Sequence, residues 1–155
     1  MASRGEVTAL DYTATLAGWA EQFSDLPGFV YLDSGTSGDG AELEVVTALP
    51  TVIHRLQDYS ANLDDWMTAL EADLHTACAQ SAIVGTSACF TGCVAIGSLD
   101  YDAPAASLRL QDEPKSRTMA GLYHWLLVTH RRSQTTELII HPDCPAVTRQ
   151  RITSL

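Results

Sequence analysis

Leu26-Pro-Gly-Phe-Val-Tyr-Leu-Asp-Ser-Gly35, with the chain that follows as far as Pro50, is the stretch on which the fold turns. Phe29, Val30, Tyr31 and Leu32 are aromatic, β-branched or aliphatic, and Gly28 and Gly35 punctuate the run on either side. A short apolar run bounded in this way reads as a buried strand rather than a helix fragment. Ser37, Gly38 and Gly40 suit a turn that needs positive φ or local side-chain bonding. Leu43 to Ala48 returns as a partner strand, and Pro50 stops it. The expectation is an antiparallel hairpin in a globular core.

On the N-terminal side, Leu16, Trp19, Ala20 and Phe23 follow helical spacing and predict an amphipathic helix over Asp11–Phe23, capped by Asp11 or Thr13. On the C-terminal side, Thr51–Gln57 predicts a third strand. A second helix follows. Asn62 caps it, Asp64 and Asp65 sit in the first turn where the helix dipole favours acids, and Leu63, Trp66, Met67, Leu70 and Leu74 share one face. Gln80–Ser87 reads as a loop and Cys93–Leu99 as a strand of small residues. Asp102–Thr118, with Pro104 and Pro114, reads as a long loop. Gly121–His141 predicts a hairpin, with Tyr123, Trp125, Leu127 and Thr129 on one side and a turn over Arg131–Thr135. Ala146–Leu155 predicts a short helix with Pro145 near its first turn. Helices mixed with hairpins, without regular strand–helix alternation, make the fold class α+β with antiparallel sheets and packed helices.

The chain has 155 residues, the size of a single domain over 1–155, and 46% hydrophobic against 18% charged residues is a globular composition. The formal net charge of −10 argues against nucleic acid or an anionic membrane as partner, because phosphate contacts need clustered cations. His130-Arg131-Arg132, the only basic cluster, fits a hairpin tip. No apolar run approaches the roughly 20 residues of a membrane span, and the N-terminus lacks a signal-peptide core. The expected location is cytoplasmic, with the four cysteines reduced.

Motifs that carry chemistry are sparse. Ser34-Gly-Thr-Ser-Gly-Asp-Gly40 lacks the lysine of a phosphate loop and is not followed by a helix. Cys89, Cys93, His141 and Cys144 offer four ligands for zinc, but not at knuckle spacing, and buried structural cysteine is the simpler reading. His124 and His130 share strand parity, six residues apart, and read as ordinary polar positions. No nucleophile elbow or reactive-cysteine signature is present. The residues thus predict no catalytic group, no metal and no cofactor.

Four blocks in order give the chain a resemblance to a known family. They are the Asp11–Leu26 helix, the Leu26–Pro50 hairpin with "LPGFVYLDSG" and "ELEVVTALP", Phe90-Thr-Gly-Cys-Val-Ala-Ile-Gly-Ser-Leu-Asp-Tyr-Asp102, and Gly121-Leu-Tyr-His-Trp125. They resemble the N-terminal part of component I of aminodeoxychorismate synthase and, more distantly, of anthranilate synthase. The resemblance implies part of a layered α/β/β/α fold with orthogonally packed sheets. It also implies a non-catalytic N-terminal domain or subunit in 4-aminobenzoate (folate-precursor) metabolism from chorismate, inactive alone. The family's catalytic residues and magnesium ligands lie mainly in a later chorismate-binding domain, which this chain is expected to lack. That domain, as a separate subunit or in a longer parent, is the implied partner, and a homodimer is the alternative. Some family members bind tryptophan beside the "LxSG" strand, and Ser34 matches that serine. The chain departs from the family at Glu42 and Leu43, where an arginine and an aromatic are usual, and at Cys93 and His124, which replace a glycine and an acid. A stand-alone amino-acid or small-molecule binding module using Ser34 is the second functional expectation.

Overall fold

The structure, a computed structural model, describes residues 5–35, 42–80, 92–100 and 117–154. Three α-helices and eight strands follow in the order β1 (Glu6–Leu10), α1 (Ala17–Phe23), β2 (Val30–Asp33), β3 (Leu43–Thr47), β4 (Val52–Arg55), α2 (Leu63–Gln80), β5 (Val94–Ser98), β6 (Met119–Tyr123), β7 (Trp125–His130), β8 (Thr135–Ile140) and α3 (Ala146–Thr153). A 3₁₀ turn, Leu56–Tyr59, links β4 to α2. One sheet has five strands in the order β1-β8-β7-β3-β2, the other three in the order β4-β6-β5, and every pairing is antiparallel. The α+β class with antiparallel sheets is thus the observed one.

The apolar clusters order these elements into layers. Leu16, Ala20 and Phe23 of the α1 region and Ile152 of α3 pack on Val46, Trp125, Leu127 and Ile140, one face of the large sheet. Val45, Leu126, Val128 and Ile139 form the other face, where Val94 of the small sheet meets them. On its far side the small sheet carries α2: Trp66 packs with Leu56 and Ala120, and Ala77 with Cys93 and Leu122. The layers therefore run helices, large sheet, small sheet, helix.

The Leu26–Pro50 hairpin forms as β2 and β3, with Val30 opposite Thr47 and Asp33 opposite Glu44. The turn residues of the hairpin lie outside the described residues, as do most of the two loops predicted over Gln80–Ser87 and Asp102–Thr118. Gly28 has φ +65°, and a Cβ there would run into the Pro50 ring. The Tyr123 hydroxyl donates to the Gly28 carbonyl at 2.9 Å, and a Cβ on Gly121 would press on the Tyr123 ring and Pro50. Pro27-Gly28, Pro50 and Gly121-Leu-Tyr123 are therefore one packed corner.

Five elements differ from the sequence expectation. The helix predicted from Asp11 begins at Ala17, because the preceding backbone is bonded elsewhere: Thr13 N–H donates to Thr136 Oγ1, Thr129 Oγ1 donates to the Thr13 carbonyl, and Arg131 Nε donates to the Ala14 carbonyl. The third strand ends at Arg55, and the rest of its predicted length is the 3₁₀ turn. Met67 of α2 is 49% exposed and lies off the buried stripe, which centres on Trp66 and Ala77. The Gly121–His141 hairpin is real only from Trp125 onward. β6 pairs with β4 and β5 in the small sheet, and the chain changes sheets at His124 before β7 pairs with β8. Residues 121–129 are buried on every side, so alternation could not betray the switch. The N-terminal strand β1, which no expectation anticipated, pairs with β8. Asn62 caps α2 as predicted, accepting from the N–H groups of Asp64 and Asp65 at 3.0 and 3.3 Å, and α3 follows Pro145.

Candidate functional site

Ser34 follows the last residue of β2 and extends the ladder to β3 with both backbone and side chain. Its N–H donates to the Leu43 carbonyl at 3.0 Å, and its Oγ accepts from the Leu43 N–H at 2.9 Å. Beside it a cleft of about 360 Å³ opens between the two sheets. Leu32, Leu43, Val45 and Leu126 wall it from the large sheet, Val94, Ala95 and Ile96 from the small one, and Asp33 and Ser34 stand at its rim. An aliphatic slot with few polar groups suits the apolar body of a small molecule. The Ser34 hydroxyl proton remains free to donate, since its oxygen serves as the acceptor for Leu43. No cationic side chain is among the described residues that line it.

The rim is held from behind, on the helical face of the large sheet. Glu44 of β3 is fully buried. One of its oxygens accepts from the Leu16 N–H at 2.6 Å, the Tyr31 hydroxyl at 2.7 Å and the Thr15 hydroxyl at 3.2 Å. The other pairs with Arg131. This acid thus sits at the start of α1, where the helix dipole favours a negative charge. Arg131, in the turn between β7 and β8, also donates to the Gly35 carbonyl at 2.6 Å and to Asp33 at 3.0 Å. The Gly35 N–H and the Arg131 guanidinium together hold the Asp33 carboxyl below the usual carboxylate range. Burial, aided by the bond to Glu44, raises the Tyr31 phenol above its ordinary value. The two features at the tips of this network, a lone acid in the apolar Leu43–Ala48 run and a basic turn, were visible in the sequence. What joins them was not, because the residues are far apart in the chain.

The histidines and cysteines sort differently. His130 closes β7 opposite Leu43 and Thr135, at the far end of the strand from His124, so the two share no site. His124 instead stacks at an angle on His141, ring centroids 4.9 Å apart. Of the four zinc candidates, Cys89 lies outside the described residues. Burial pushes the Cys93 thiol up to about 12 and the Cys144 thiol up to about 11, so both stay protonated and are poor ligands or nucleophiles. His141 has both ring nitrogens engaged, with the Ala77 carbonyl at 3.0 Å and the Asp143 N–H at 3.1 Å. Among the described residues no group of three or more His, Cys, Asp or Glu side chains is placed to hold a metal. His54 forms a further chain that sequence reasoning missed, with Nδ1 on the Tyr59 hydroxyl and Nε2 on Asp73 at 3.0 Å. Its carbonyl accepts from Trp66 Nε1 at 3.0 Å, so it ties β4 to the 3₁₀ turn and α2.

Among the described residues no helix is long and apolar enough to cross a membrane. No protein-family model and no curated protein matches the chain.

Proposed function

We propose that this chain is a non-catalytic N-terminal domain or subunit of an aminodeoxychorismate synthase component I-like protein, serving 4-aminobenzoate formation from chorismate in the cytoplasm. The observation that carries the reading is the ordered set of four sequence blocks. The layered arrangement of two antiparallel sheets between helices agrees with the fold that the resemblance implies. The second and fourth blocks also meet at one corner, where Gly28 and Gly121 both make room for Pro50. The domain acts by packing against a chorismate-binding domain, which brings the catalytic residues and the magnesium site. Mixing the purified chain with a chorismate-binding component I domain from the same source and measuring solution mass tests this. A one-to-one complex is expected. Conversion of chorismate and ammonia by the chain alone would overturn it.

A second reading is favoured by the cleft at Ser34: a binding module for a small molecule, working alone or as a homodimer. The roughly 360 Å³ of aliphatic space and the rim hydroxyl support it. Calorimetric titration with L-tryptophan and the other common amino acids, repeated on Ser34→Ala, decides it. Saturable binding weakened by the substitution is the expected result, and no heat at millimolar ligand removes the reading.

A further inference from the structure

We propose that His124 and His141 form an acid-sensitive latch, which holds the C-terminal half of α2 against the sheets at neutral pH and releases it on acidification. The latch lies where three parts of the fold meet. His124 is the residue at which the chain passes from the small sheet to the large one. His141 follows β8, and its N–H donates to the His124 carbonyl at 2.8 Å. From there the His141 ring reaches the last turns of α2.

The geometry fixes the neutral form of His141. Its Nδ1 accepts the Asp143 N–H at 3.1 Å, so its proton sits on Nε2 and is donated to the Ala77 carbonyl at 3.0 Å. A second proton would turn Nδ1 into a donor facing a donor. His124 meets the Thr51 hydroxyl through Nδ1 at 2.7 Å and lies against the other ring. Two imidazolium ions at that separation would repel. Among the described residues the charged and titratable groups around the pair are few. The turn after β8 brings Asp143, whose carboxylate is 3.8 Å from His141, and Cys144. α3 brings Arg149, which donates to the His141 carbonyl at 3.3 Å. Cys93 precedes β5 and packs on Ala77, while Cys78 of α2 acts electrostatically on Cys93. The Ala77 carbonyl favours a proton on His141 and Asp143 favours one on both rings, but burial outweighs them, and for His124 the neighbouring His141 adds to it: both imidazoles titrate below their ordinary value.

α2 is fastened unevenly, which makes release local. Its first half is held by the Asn62 cap, by Trp66 in its cluster and by the Trp66 bond to His54. Its second half meets the small sheet through Ala77 and Leu74 on Cys93, Leu122 and Ala95 and through Asp73, 3.0 Å from His54 Nε2 of β4, and it meets the end of β8 through His141. Small side chains bury little area, so the histidine bond is a larger share of what holds that half.

Because the closed state disfavours protonation, the open state binds more protons. The latch is fully closed above about pH 6.5, the ordinary histidine value, and weakens as pH falls below it. Hydrogen–deuterium exchange resolved along the chain, from pH 7.5 to 5.0 and corrected for intrinsic exchange, tests this. Protection of the last two turns of α2 should fall by about tenfold per pH unit below pH 6.5, with β7 and β8 keeping theirs. In His124→Phe, which keeps a ring against His141, the slope should lessen while neutral-pH protection persists. His141→Gln should loosen those turns at every pH and leave them without the acid response. A uniform loss over α2, β7 and β8 together, no change with pH, or an unaltered slope in both variants would overturn the proposal.

Discussion

The two sheets bury very different material. In the large sheet, Trp125, Leu126, Leu127, Val128, Ile139 and Ile140 are all essentially inaccessible, because helices cover one face and the small sheet the other. In the small sheet the residues under α2 are Ala120, Leu122 and Cys93, while Ile53 and Met119 are 39% and 40% exposed. Full burial of a large apolar side chain stabilises by about 1.5–3 kcal/mol, so the large sheet carries most of the fold's apolar stabilisation. The small sheet borrows its stability from α2 and from its contact with the large one. Both proposed sites, the Ser34 cleft and the histidine pair, lie where the small sheet meets its neighbours.

Substitutions can break or sharpen this contrast. The largest effect is expected for Trp125→Ala, which empties the centre of the large sheet and frees the Ala48 carbonyl that the indole N–H reaches at 2.8 Å. A loss of about 3–5 kcal/mol in urea unfolding is expected. Glu44→Ala comes next, at about 3 kcal/mol. It strips the acceptor from Leu16 and Tyr31 and leaves the Arg131 charge with Asp33 alone. Its signature beyond stability is faster amide exchange in α1. Leu122→Ala, in the small sheet, should cost about 2 kcal/mol, the low end for such a change, because small neighbours leave less to lose. A cost equal to that of Trp125→Ala would break the contrast. The smallest effect, about 1 kcal/mol in thermal unfolding, is expected for Asn62→Ala, which removes the cap of α2.

Local patterns carried much of this architecture, and their failures share a cause. The β2–β3 hairpin, α2 with its cap, β5 and α3 are each specified by residues within their own span. Asp11–Leu16 is helical by pattern, yet its backbone bonds go to Thr136, Thr129 and Arg131, over a hundred residues away, and tertiary bonding overrides local preference. The sheet switch at His124 was hidden because uniform burial erases the period-two signal. Ser34 was legible as the end of a strand. The cleft beside it was not, because its opposite wall is Val94–Ile96, which no pairing rule places against β3. The histidine pair was concealed for the same reason: His124 and His130 share strand parity in the sequence, whereas the ring that meets His124 is that of His141, just past the end of β8.

β1 lies at the margin of the large sheet with Glu6 opposite Ile140, and Arg149 of α3 clasps Glu6 at 2.7 Å. During synthesis these partners emerge on the order of ten seconds apart at ordinary elongation rates. β1 is therefore made well before the edge on which it pairs. It must wait, unpartnered, until the tight β7–β8 hairpin has left the ribosome and offered it an edge.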